Sequence, residues 1–430
     1  MKYHPLPAGL FSYNRQRFAA QLPAGSLAIF HSNDHMPRSG DTFFPFRQNS
    51  DLYYLCGIDQ PETILLMYPG CPKEGFEEIL FIRPTSERLV RYEGEQLTAA
   101  KARRLSGVEK VLSTDKYEPL LRELMLLSER VYINQEEHDR FSSPVLTRNQ
   151  RMAQALRQAY PANQFERSGP ILKALRMIKS NAEVDAIQQA VNITGQAFTD
   201  ILQMLEPGVK EYEVEATMTA SFLRHGATGH AYEPIVASGA NTCVLHYVKN
   251  NAVCRPGDLL LMDFGAEYAN YAADLSRTIP VSGRFTERQR AVYEAVLRVQ
   301  RAAIKMLVPG TDLEEYHREV GHLTEAELLQ LGLLDQEMIK QQDPKQPAYK
   351  RYFMHGTSHH IGLDVHDPGL RYEAVQAGMV FTCEPAIYIP EEKIGIRLEN
   401  NILVTDNGPV DLTKKIPIEV EEIEDWMNKA

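Results

Sequence analysis

Cysteine is scarce in this 430-residue chain, and no two cysteines stand as a Cys-x-x-Cys pair. The five present, Cys56, Cys71, Cys243, Cys254 and Cys383, are odd in number, so neither a disulfide framework nor a thiolate zinc site is indicated. They fit a reducing compartment. Apolar runs of membrane-spanning length are absent. A run of basic residues is absent too, and the net charge is −11, which disfavours nucleic acid and anionic membrane as partners. Near the N-terminus Pro5 and Pro7 interrupt the stretch where a secretory signal needs continuous apolar sequence, so a cytoplasmic protein is expected. Hydrophobic content of 43% and charged content of 24% are ordinary for a globular protein. The length allows two or three domains.

What is there begins with short apolar runs between turn signals. Ser26–Phe30, Thr63–Tyr68, Glu78–Ile82 and Arg130–Ile133 read as strands, with helical patterns near 115–128 and 148–159. This describes an α/β domain over 1–165 with no evident chemistry of its own. Arg47-Gln-Asn-Ser-Asp51-Leu-Tyr-Tyr-Leu-Cys-Gly57 reads as a loop entering a buried strand. Turn residues cluster between Tyr160-Pro161 and Ser168-Gly-Pro170, and a second domain is expected over 170–430. There Ser180-Asn-Ala-Glu183 is a capping-box pattern opening a helix that Pro207-Gly208 stops, and a second helix runs from about Tyr212 to Arg224. The arrangement returns with Thr286-Glu-Arg-Gln289, a helix ending at Met306-Leu-Val-Pro309-Gly310, and another helix from Leu313. Met204-Leu-Glu-Pro-Gly208 echoes Met306-Leu-Val-Pro-Gly310, which suggests two pseudo-symmetric halves.

Strand-like segments carrying acids follow each helix pair. Leu259–Phe264 and Tyr271–Leu275 read as a hairpin turning at Ala269-Asn270; a two-residue turn sets Asp263 opposite Ser276, with Asp274 on the same face. Val380–Glu384 and Ile394–Glu399 read as a second hairpin, where a turn centred on Glu391-Glu392 sets Glu384 opposite Glu399 and leaves Arg397 on that face. Cys383 then points away, into packing. Four inward acids repel one another unless cations intervene, so the pattern implies metal. His355-Gly-Thr-Ser-His359-His-Ile-Gly-Leu-Asp364-Val-His366-Asp367 adds imidazole, and imidazole with carboxylate suits Mn²⁺, Zn²⁺ or Co²⁺. His230, after Gly229, reads as a loop residue.

These residues resemble the Xaa-Pro aminopeptidases (aminopeptidase P) of the pita-bread metallopeptidase superfamily, over nearly the whole chain. The resemblance rests on Phe46–Gly57, Pro61-Glu-Thr and Leu175-Arg-Met-Ile-Lys-Ser180, then on Asp263-Phe-Gly-Ala-Glu, the His355–Asp367 stretch, Glu384-Pro385 and Gly395-Ile-Arg397-Leu-Glu399. It implies a mixed α/β (α+β) fold: a creatinase-like N-terminal α/β domain before a pita-bread catalytic domain with two pseudo-symmetric halves. It implies two divalent ions, most often Mn²⁺, held by Asp263, Asp274, His359, Glu384 and Glu399, with Asp274 and Glu399 bridging. Glu384 becomes the general base or proton shuttle for a metal-bridging hydroxide. His355 and His366 bind substrate and stabilise the tetrahedral intermediate, His246 lines the substrate pocket, and Arg397 orients a carboxylate. His360, Ala386 and Asn400 depart from the family pattern: His360 sets a second histidine beside the ligand position, where the Ser-His-x-Ile-Gly framing favours His359, and Ala386 and Asn400 touch no ligand.

The implied activity is removal of an N-terminal residue from peptides with proline at the second position, by a homo-oligomer (dimer or tetramer) that engages neither nucleic acid nor membrane. An Xaa-Pro dipeptidase with the same ligands is the alternative. A non-catalytic, peptide-binding pita-bread module is the reading from another class, and five intact ligands argue against it.

Overall fold

The computed structural model describes residues 3–370 and 372–428. The chain forms two compact units, Pro5–Arg176 and Met177–Ala430 together with Met1–His4. No helix among the described residues is long and apolar enough to cross a membrane.

The first unit is built on a six-stranded mixed sheet. Ser26–His31 lies inside it, buried along its whole length, pairing antiparallel with Ile64–Met67 and parallel with Arg130–Ile133. A strand buried on both faces reads as an unbroken apolar run, which is why this one was visible in sequence. Tyr117, Leu120, Leu121, Leu124 and Met125 recur at helical spacing on the Tyr117–Leu127 helix and join Ile29, Leu66, Phe81 and Val131 in one core. The Arg47–Gly57 stretch is not a loop leading into a strand. It is a helix, Ser50–Cys56, because the Asn49 side chain accepts from the Leu52 amide at 3.1 Å and Gly57 supplies the left-handed exit at φ 64°. The apolar run is short enough to suit either element, and the cap decides.

The unit reaches one helix beyond the turn cluster at 161–170. Gly169–Met177 is held by Lys173, whose ammonium donates to the Glu137 carbonyl at 2.8 Å, and by Arg176, which pairs with Asp51 at 2.7 Å.

The second unit contains two similar assemblies. Helices Asn181–Met204 and Glu211–Arg224 accompany the antiparallel sheet Ile235–Ser238, Leu259–Phe264 and Leu275–Pro280. Helices Glu287–Met306 and Leu313–Gln330 accompany Val380–Cys383, Asn400–Thr405 and Gly408–Asp411. Both long helices begin as their sequences specify: Glu183 Oε2 accepts from the Ser180 amide, and Gln289 Oε1 from the Thr286 amide.

Both hairpins have the expected register, and both are interrupted beside the acids, although Asp263 itself stays in the ladder. In the first, Asp263 faces Ser276 and Tyr268 faces Tyr271, with Ala269 and Asn270 both at positive φ, as a two-residue turn of right-handed twist requires. The ladder breaks at Gly265, where the Ala273 carbonyl approaches so closely that a Cβ would lie 1.8 Å from its oxygen. In the second, Val380–Cys383 pairs with Asn400–Thr405 and Ala386–Ile389 with Ile394–Arg397, in one continuous register. Glu384 and Glu399 lie in the gap. His230 belongs to a two-residue strand, Gly229–His230, paired with Ala266–Glu267 rather than to a loop, its Nε2 2.8 Å from the Thr219 hydroxyl.

Two outcomes follow. Gly265→Ala should destabilise the second unit by roughly 1–3 kcal/mol or more, because the obstacle is backbone and cannot turn aside; the urea midpoint reads it. In the first unit His31 is buried against Tyr117, and burial followed by the charge of Arg148 pushes its imidazole down to about 3. The unfolded chain takes up that proton near the ordinary 6.5 and the folded chain does not, so the contribution is intact above pH 6.5. It drains away as pH falls toward 3, by about 1.4 kcal/mol per unit. His31→Gln should flatten the acid limb of stability against pH over that window.

Candidate metal centre

Five segments deliver the acidic cluster, and their backbones are tied to one another. The Glu399 amide donates to the Ser276 carbonyl at 3.0 Å, and Arg277 Nη1 to the Glu399 carbonyl at 2.7 Å. Asn401 grips Asp274 from both sides: its Oδ1 accepts from the Asp274 amide at 3.1 Å and its Nδ2 donates to the Asp274 carbonyl at 2.6 Å. The Glu384 amide donates to the Thr357 carbonyl and the Thr382 amide to that of His359, so the histidine loop runs as an extra edge beside Glu384. The ladder gaps therefore leave few backbone groups wanting, because each hairpin completes the other.

The side chains converge accordingly. Asp274, His359 and Glu399 each offer one ligand atom within 4.8 Å of the others. His359 Nε2 lies 3.5 Å from Asp274 and 3.5 Å from Glu384, while its Nδ1 faces the His360 carbonyl at 3.0 Å. That contact places the hydrogen on Nδ1 and turns Nε2 to the acids. Asp263 Oδ1 accepts from the Tyr232 hydroxyl at 2.6 Å and Oδ2 from Arg397 Nη2 at 2.6 Å. Tyr232 also reaches Asp274 Oδ1. Glu399 accepts from the Ser276 hydroxyl through Oε2, and its buried Oε1 has no protein partner.

Two positive groups, Arg397 and His359, do not balance the four acids. Burial first, and then the neighbouring acids, raise Asp263 against the relief given by Arg397, push Glu384 up to about 7, and lift Glu399 well above the carboxylate range. Burial opposes charge on His359, but the hydrogen bond to Asp274 and the charges of Glu384 and Asp274 outweigh it and hold the imidazole at about 9. Divalent cations among these acids would reverse the displacement. Carboxylate and imidazole donors around an unpartnered buried oxygen fit divalent metal ions of borderline-to-hard character.

Other residues singled out in sequence lie around this centre. His355 Nδ1 is 3.7 Å from Glu384 Oε2 and 2.8 Å from the Gly356 carbonyl, and its Nε2 is 2.9 Å from the Tyr388 hydroxyl. Burial and then Arg397 push it down to about 4, so it is neutral at physiological pH. His366 is exposed, with its ring against that of His359 at a centroid distance of 4.5 Å. Arg397 is buried and donates to Asp263, Ser276 and Tyr388. His246 stands exposed on the loop after Cys243, and its charge is among those bearing on His355. His360 turns the other way, onto Phe381, with ring centroids 4.3 Å apart. Cys383 is buried in the core behind Glu384, as strand alternation requires.

Sequence reading missed Tyr232 and Tyr388. The parity argument that placed Arg397 reaches Tyr388, which shares the face of Glu384 and pairs with Gly395, two residues before Arg397. Tyr232 gave no such signal, since it precedes its strand and meets Asp263 and Asp274 only through the tertiary fold.

The Metallopeptidase family M24 model matches residues 185–406, and the Aminopeptidase P, N-terminal domain model matches residues 11–132. The chain is 34% identical to the Xaa-Pro aminopeptidase of Haemophilus influenzae, over 98% of this chain and 98% of that one. Among solved structures it is similar to Pseudomonas aeruginosa aminopeptidase PepP, at a TM-score of 0.89 and 31% identity over 98% of both chains. It is also similar to E. coli aminopeptidase P with the inhibitor Pro-Leu, at 0.87 and 32% over 99% of both. The zinc-substituted product complex of that enzyme gives 0.86 and 32% over 99% of both. A match of this extent in sequence and in fold, meeting at the acidic cluster, means that the chain belongs to metallopeptidase family M24, in its aminopeptidase P group.

Proposed function

We propose that this chain is a dinuclear metallo-aminopeptidase that hydrolyses the bond between an N-terminal residue and a following proline. The carrying observation is the grouping of Asp274, His359 and Glu399, with Glu384 against His359 and Asp263 joined to Asp274 through Tyr232, and with three of the acids displaced toward protonation by burial and mutual repulsion. These five residues would hold two divalent ions; Mn²⁺ is the favoured metal, with Zn²⁺ and Co²⁺ compatible. When bound, such ions supply Lewis acidity and a water deprotonated near neutral pH. In the proposed division of labour 1–165 is the N-terminal domain and 170–430 the catalytic domain. A cytoplasmic location and a homo-oligomeric state, dimer or tetramer, belong to the same proposal. The free cysteines support the first and the family resemblance the second.

The remaining steps fall to the chain's own groups. Glu384 is placed to take a proton from water at one carboxylate oxygen and return it to the proline nitrogen as it leaves. Both nitrogens of His355 are engaged, by Gly356 and Tyr388, and the ring lies beside Glu384. It therefore braces Glu384 and borders the substrate site as a wall. The oxyanion hydrogen bond falls to His366, whose exposed ring borders His359. Arg397 supplies fixed positive charge behind Asp263 and orients a carboxylate in or near the site. His246 contributes to the substrate pocket. The bond before proline is a tertiary amide without N–H, so a site that works on the carbonyl and the free amine loses nothing on such a substrate.

The test is turnover of Xaa-Pro-Yaa against Xaa-Pro by the Mn²⁺-loaded protein. Cleavage of the tripeptide is expected; cleavage of the dipeptide alone makes it an Xaa-Pro dipeptidase, and absence of bound metal makes it a binding module. Asp274→Ala and Glu399→Ala should each abolish turnover and lose metal, measured by elemental analysis. His359→Ala should lose metal while His360→Ala keeps it. His366→Ala should lower kcat by roughly 10²–10³ with metal content and melting temperature unchanged; a parallel loss of metal shows that it only braces the loop.

The proton inventory gives a pH prediction. Glu384 and His359 have raised values, so both are protonated below them, and metal must displace those protons. Metal affinity should weaken as pH falls from 9 through 7. Calorimetric titrations at pH 7 in buffers of different ionisation enthalpy should register proton release.

A further inference from the structure

The loop that carries His246 has almost no regular structure, yet it is anchored at both ends. At its start, Thr242 presses against the Ile394–Arg397 strand so closely that a Cβ on Gly395 would lie 2.1 Å from the Thr242 carbonyl oxygen. At its end, Asn250, at φ 45°, donates to Glu215 at 2.8 Å and to the Pro234 carbonyl at 2.9 Å, and accepts from the Val236 amide at 3.0 Å. Between these points Val244, His246 and Val248 face solvent.

One side chain draws both ends together. Glu211, at the start of the Glu211–Arg224 helix, is wholly buried. Its Oε1 accepts from the Ser238 amide and hydroxyl, both at 2.7 Å, and from Asn241 Nδ2 at 3.3 Å. Its Oε2 accepts from the Tyr247 hydroxyl at 2.9 Å and the Ala252 amide at 2.8 Å. A carboxylate offers about four lone-pair positions, so five donors saturate it. Burial of a charge is tolerable only with such provision. The donors come from residues 238, 241, 247 and 252, which bracket His246 on both sides. A short salt link would hold one end; this carboxylate closes the loop upon itself.

We infer that Glu211 is a positioning residue for the substrate-binding loop: it touches neither substrate nor metal, and it presents His246 to the pocket in one conformation. The inference rests on the aminopeptidase reading for its kinetic consequence and not for the clamp itself. Replacing one oxygen by an amide nitrogen turns an acceptor into a donor facing donors, so Glu211→Gln should open the loop while preserving shape.

Hydrogen–deuterium exchange on the full chain reads the clamp without any catalysis: amides of 243–252 should exchange faster in Glu211→Gln, with the Leu259–Phe264 strand unchanged. Kinetics on Xaa-Pro-Yaa should show KM raised by roughly tenfold, the scale of one charge-assisted hydrogen bond, with kcat and metal content within about twofold. Tyr247→Phe removes a single donor at a half-buried position and should shift exchange and KM in the same direction by less. It serves if Glu211→Gln fails to fold. In the double variant with His246→Ala, the two KM effects should not multiply, since both act through one side chain. Unchanged exchange in Glu211→Gln or Tyr247→Phe overturns the clamp. Faster exchange with unaltered KM, multiplying effects, or a joint fall of kcat and metal content overturns the positioning role. A wild-type protein that binds Mn²⁺ and leaves Xaa-Pro-Yaa intact overturns the aminopeptidase reading alone.

Discussion

The repulsion among four carboxylates gathered at one place is the constraint from which much of the second unit follows. Asp263, Asp274, Glu384 and Glu399 come from two hairpins, and the folded chain must hold them against a mutual cost that burial increases. Arg397 and the charged form of His359 offset part of it. The remainder is held by proximity the chain enforces elsewhere, in the core of Leu261, Phe381, Cys383 and Ile402 behind the acids. In the proposed reading a divalent ion would turn the same repulsion into attraction, which would couple metal binding to the stability of this region.

Enforcing that proximity shapes the backbone. Each hairpin gives up ladder pairing next to acids, at Gly265 opposite Asp274 in one and at Glu384-Pro385 in the other. The unpaired groups find partners elsewhere: Glu399 with Ser276 and Asp274 with Asn401 across the halves, and Glu384 with Thr357 on the histidine loop of its own half. The two pseudo-symmetric assemblies are thus sewn together at the site itself. A histidine loop laid beside Glu384 then brings His359 to the acids, and tight alternation at that edge sends His360 into packing on Phe381.

Around this centre the polar groups are arranged in a continuous series. His355 meets Tyr388, Tyr388 meets Arg397, and Arg397 meets both Asp263 and Ser276, which in turn meets Glu399. Such a series fixes the tautomer of His355 and the orientation of two acids at once, and it explains why Arg397 is buried without being idle. The same logic of a buried charge surrounded by donors recurs at Glu211, further along the fold.

Strand parity and turn chemistry are local properties, and the amino-acid sequence determined them unaided. Ala269-Asn270 and Glu391-Glu392 set two registers, the registers set four acids on inward faces, and the capping residues at Ser180 and Thr286 started both long helices. Sequence was less decisive where one short apolar run suits two elements. Ser50–Cys56 became a helix through the side chain of Asn49, and Gly229–His230 became a strand only because Ala266–Glu267 lies beside it. Tertiary structure alone decided which groups from distant segments share a hydrogen bond: Tyr232 between Asp263 and Asp274, Asn401 around Asp274, and Glu211 beneath the His246 loop. Those partners are 30 to 130 residues apart or so, and no periodicity links them, because a contact across the fold is set by how whole elements pack and not by spacing along the chain.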